Sequence, residues 1–122
     1  MMLDARARRL LLEFRDRLSL NLEGIVVATE AGTGPYLYSS LGAALAGAEQ
    51  VIAVAPDSAY ATHSDISRAI QERVSSWGLR KNTVSVVKSR EELPQGVDLF
   101  MNLGFLRPLD DLVLSRASPG AV

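Results

Sequence analysis

The chain has 122 residues, about half of them apolar, a net charge of −1 and no cysteine. That length and apolar content suit one domain with a buried core. The near-neutral balance of interspersed charges points away from nucleic acid and anionic membranes, and the absence of thiols excludes disulfides, thiolate metal sites and a thiol nucleophile.

The amino-terminal segment reads as an amphipathic helix over 3–20. Leu3, Ala7, Leu10, Leu11, Phe14 and Leu18 fall on one arc. Its arginines interrupt any apolar stretch, which rules out a secretory signal or a membrane span there and gives a soluble cytoplasmic domain as the expectation. Those arginines fit a solvated flank better than a phosphate-binding face, because Glu13 and Asp16 are mixed among them. Asn21 and Gly24 then break the helix.

Gly24-Ile-Val-Val-Ala-Thr29 is a continuous apolar run of the kind found in strands covered on both faces. Val51–Ala55, Thr83–Val87 and Val97–Asn102 repeat it. Between the first two, Pro35 suits a first helical position and Gly47 a helix end. Between the second and third, Ser64 is a good N-cap for a helix carrying Ile66, Ala69, Ile70, Val74 and Trp77 on one stripe, closed by Gly78. Ser89 to Gly96 is a polar loop, and a short helical pattern runs from Leu109 to Ser115. Alternating strands and helices imply right-handed crossovers. The expected fold is therefore α/β, a doubly wound, Rossmann-like parallel sheet of order 3-2-1-4, with a ligand at the carboxyl ends of the first two strands.

The turn after the first strand reads Glu30-Ala-Gly32-Thr-Gly34-Pro-Tyr36. A strand, a glycine turn and a helix start form an anion or nucleotide site, although a turn needing glycine only for its backbone reads the same way. The dinucleotide fingerprint wants a small residue where Leu37 stands, and Glu30 would repel a pyrophosphate. The segment resembles the first motif of class I S-adenosylmethionine-dependent methyltransferases, E/D-x-G-x-G-x-G, with Tyr36 at the last glycine. Ala46–Ser58 is similar to that family's second strand and its ribose-binding acid, and Ser89–Pro94 to its adenine loop.

The resemblance implies an S-adenosylmethionine-binding, methyltransferase-like domain. Glu30 would hold the methionine end, Gly32 and Gly34 would give backbone access, Asp57 would take the ribose hydroxyls and Ser89 would lie in the adenine loop. Asn102-Leu-Gly-Phe105 partly matches the amine-methylating motif, which makes Asn102 a weak catalytic candidate beside its plainer role as a turn cap. An NAD- or NADP-binding oxidoreductase domain, with Asp57 on the ribose, and a non-catalytic interaction module are the alternatives. His63, the lone histidine, fits a solvated loop better than a general base, and nothing suggests a metal site. Tyr60 suits either packing on its neighbours or covering an adenine.

Val97–Asn102 looks like an apolar edge strand, and Ser118–Val122 like the lead-in to a fifth. The expectation is a portion of a longer chain truncated before that strand, or a homo-oligomer, most simply a dimer, that completes the sheet.

Overall fold

The computed structural model describes residues 2–101 and 110–122. Helix α1 is Met2–Arg17, β1 is Val26–Glu30, and a 3-10 turn at Gly34–Leu37 runs into α2, Tyr38–Leu45. Then follow β2 (Gln50–Val54), α3 (His63–Ser76), β3 (Val84–Val87), a second 3-10 turn at Arg90–Glu92, β4 (Leu99–Phe100) and α4 (Asp111–Leu114). The sheet is wholly parallel and ordered β3-β2-β1-β4, the order expected from the sequence.

Alternation along the strands divides the core. Val27, Val51, Ala53 and Val84 face Leu41 of α2 and the Ile66, Ile70, Val74 stripe of α3. Ala28, Ile52 and Val54 face the other way, against Leu93 and Val97. Burying each of these valine, leucine and isoleucine side chains contributes about 1.5–3 kcal/mol, and this drives the strands together. Helix α1 packs on α2, where a Cβ added to Gly42 would sit 3.2 Å from Leu11 Cδ2.

Several local expectations change. Helix α1 stops at Arg17, and Ser19 takes a positive φ of 50°. Its apolar stripe is only half covered: Phe14 and Leu18 are exposed beside a groove of about 400 Å³ that also involves Leu11, Gly42, Leu99 and Met101. Thr62, not Ser64, caps α3, because its side chain accepts from the Asp65 amide while the Asp65 carboxylate accepts from the Thr62 amide. His63 is therefore the first helical residue and not part of a loop.

The fourth strand is shorter than expected and is not a bare edge. Val97 and Ala117 form a parallel bridge, Phe100 N donates to Val122 O at 2.8 Å, and Val122 N donates to Asp98 O at 2.9 Å. Residues 117–122 thus satisfy part of β4's outer backbone, which a strand so apolar requires. Asp98 fastens both sides, accepting from Ser118 Oγ at 2.6 Å and Val26 N at 2.9 Å. Those two bonds, the first above all, hold its carboxyl below the usual carboxylate range.

Candidate functional site at the carboxyl edge

Where β1 ends, Ala31 N still donates to Val54 O, at 3.0 Å, and only then does the chain leave the sheet. It turns through Gly32-Thr-Gly34, with Gly34 at φ +62°, a left-handed conformation that costs glycine little and other residues more. Gly32 N makes a long 3.4 Å bond to Tyr36 O, and Ser39 Oγ donates to Glu30 O at 2.9 Å, so the start of α2 is fixed to the strand end. Pro35 opens a 3-10 turn here and not the α-helix itself. Leu37, at the position the dinucleotide fingerprint keeps small, is buried in the core.

The second wall comes from the loop after β2. Ser58 Oγ accepts from Tyr60 N at 3.2 Å and Ala61 N at 3.4 Å, while Ser58 N donates to Ala61 O at 2.9 Å. This serine-centred turn leaves Tyr60 87% exposed at its tip. Between the two loops lies a cavity of about 520 Å³, within the roughly 300–1,000 Å³ of small-molecule sites. Gly32, Gly34 and Tyr36 line one side; Pro56, Ser58 and Tyr60 line the other, with Ile66 also on the wall. Among the described residues, no charged side chain lines it.

Of the residues singled out in the sequence, Gly32 and Gly34 are on the wall. Glu30 is fully buried, paired in register with Val54 on the sheet face packed by Leu93 and Val97, and does not line the cavity. Asp57 turns away from it as well. Its carboxylate accepts from His63 N at 2.7 Å and pairs with Lys88 Nζ at 3.1 Å. The His63 amide, then Lys88, hold its carboxyl below the usual range. His63 Nδ1 lies 3.0 Å from Ala55 O, so the imidazole is bonded to the strand end.

Ser89 begins the second 3-10 turn, where it forms a capping box with Glu92, its amide donating to Glu92 Oε2 at 3.0 Å. It does not reach the cavity. Asn102 and Phe105 lie outside the described residues. Ser58 was not expected in the site. Its signal was a serine two positions before an aromatic residue in a short loop opened by proline. No group of three or more metal-ligating side chains occurs among the described residues, and none of the described helices is long and apolar enough to cross a membrane.

Neither a protein-family model nor a curated protein sequence matches the chain. Among solved structures, ornithine carbamoyltransferase from Gloeobacter violaceus is similar over 98% of this chain, at 18% identity and a TM-score of 0.53. The chain spans 42% of that protein's length. At such identity the likeness establishes the α/β architecture alone. It overturns the resemblance to S-adenosylmethionine-dependent methyltransferases, since the similar fold belongs to a different family and no family match supports that assignment. The physical reason is that glycines and acids spaced along doubly wound strands recur in unrelated proteins of this architecture.

Proposed function

We propose that this nucleotide-fold domain is a small-molecule-binding module that takes an uncharged, nucleoside-like group, adenosine above all, between the loops after β1 and β2. One observation carries the reading. The cavity sits at the carboxyl edge, where open α/β sheets bind ligands, and its wall combines apolar and aromatic side chains with hydroxyls and, among the described residues, no charge.

The turn's amides support an uncharged occupant. Ala31 N and Gly32 N donate to Val54 O and Tyr36 O, and Pro35 has no N–H. Three of the five positions 31–35 therefore offer nothing to a phosphate, unlike the amide cradle of a pyrophosphate-binding turn. Among the described residues, no lysine or arginine on the wall makes up for this. An NAD(P)-dependent oxidoreductase would also need Asp57 to give up Lys88 and the His63 amide before reaching a ribose. Among the described residues the wall bears no carboxylate, imidazole or amine, and the groups it does bear suit binding and positioning.

Isothermal titration with adenosine, AMP, ADP and NAD tests the reading. Adenosine binds, and adding phosphates brings no gain in affinity. Absence of adenosine binding would overturn it, and so would a tightening of tenfold or more from adenosine to ADP or NAD.

A further inference from the structure

Resting on that reading, we infer that Tyr60 is the ligand-stacking residue of the cavity, and that the group it recognises is the flat face of a purine base. Tyr60 combines two properties that seldom occur together. The residue is 87% exposed, yet its backbone is held by Ser58 Oγ, which accepts from the amides of both Tyr60 and Ala61. A loop that merely tolerated a tyrosine would let the ring fold down onto its neighbours. This loop is braced and leaves an aromatic face in water beside a cavity.

The same cavity is lined by Tyr36, 45% exposed, on the turn after β1. Two tyrosines on loops from adjacent strands line a cavity whose wall also includes Pro56, Ile66 and glycine backbone. Such a cavity suits a planar, polarisable group better than an aliphatic one, because aromatic faces attract through offset stacking. Stacking does not discriminate strongly among bases, but it grows with ring area, so a purine gains more than a pyrimidine. The Thr33 hydroxyl, which caps nothing on the turn it precedes, supplies a polar contact at the edge without charge.

The test uses the full chain with adenosine and uridine as probes. For the wild type, adenosine binds more tightly than uridine, and its H2 and H8 proton resonances move upfield from the ring current. Tyr60→Phe keeps both the affinity and the upfield shift. Tyr60→Ala weakens adenosine by tenfold or more and abolishes most of the shift, while its melting temperature stays that of the wild type. Wild-type protein that ignores adenosine would sink the parent reading. Wild-type protein that binds adenosine while Tyr60→Ala binds it equally well would sink only the role of Tyr60. A loss in Tyr60→Phe as large as in Tyr60→Ala would also overturn stacking.

Discussion

Helix α2 separates two regions built on opposite principles. On one side, helices α1, α2 and α3 are locked by side chains that satisfy one another. Asp4 Oδ1 accepts from Tyr38 Oη at 2.7 Å and from Arg73 Nε at 3.0 Å, Arg73 also donates to Ala69 O, and the Tyr38 ring lies parallel to Trp77 with centroids 6.1 Å apart. At the start of α2, the carboxyl-edge loops keep glycine backbone and exposed aromatic residues around an open cavity. Polar groups that meet inside the fold stabilise it, and aromatic faces beside a cavity can meet a ligand. The same rigid sheet supports both, and the contrast makes distinct demands on mutants.

The largest effect belongs to the clamp. Tyr38→Phe keeps the ring on Trp77 but removes the hydroxyl from a carboxylate whose side chain is only 19% exposed. We expect a loss of about 1.5–3 kcal/mol in urea unfolding at neutral pH, the range for a hydrogen bond to a charged group. Adenosine affinity should be unchanged.

The pH dependence follows from two opposite shifts. The Tyr38 hydroxyl, and then Arg73, hold the Asp4 carboxyl below its usual value, so its contribution is complete above about pH 4 and fades as pH falls through the lowered value. The Asp4 carboxylate raises the Tyr38 hydroxyl, so that contribution is complete below about pH 10 and fades as pH climbs through the raised value. The gap between wild type and Tyr38→Phe is therefore widest between those limits and narrows on both sides. A gap independent of pH would mean that the clamp acts through packing alone.

A smaller effect comes from a buried hydroxyl in α2. Ser40 is fully buried in α2, and among the described residues its hydroxyl has no hydrogen-bond partner. Ser40→Ala removes an unsatisfied buried group and installs the best helix former, so stability should rise by about 1 kcal/mol. Destabilisation in the same unfolding assay would show that the hydroxyl does have a role.

These regions were not equally legible in the sequence. Sheet order followed from apolar runs separated by helical stripes, because right-handed crossovers leave few arrangements. Gly34 and Gly47, both at positive φ, ended or turned elements as expected. The direction of Glu30 was hidden by its own strand: with Val26 to Thr29 apolar enough for either face, nothing local told which face its carboxylate joined. Asp57 was lost to Lys88, which lies 31 residues later in sequence and meets it only through β2–β3 pairing. The covering of β4 depended on Asp98 meeting Ser118, a contact no periodicity reveals. Thr62 and Ser64 compete as caps in any linear reading, and the geometry of Asp65 decides between them.

The central claim, that the carboxyl-edge cavity is the binding site, is tested most directly by titrating isotopically labelled protein with adenosine and following the backbone amides. The account predicts progressive shifts at Gly32, Thr33, Gly34, Ser58 and Tyr60, with little change at Leu11 and Gly42 beside the α1–α2 groove. Shifts centred on that groove, or no site-specific shifts at millimolar adenosine, would contradict it.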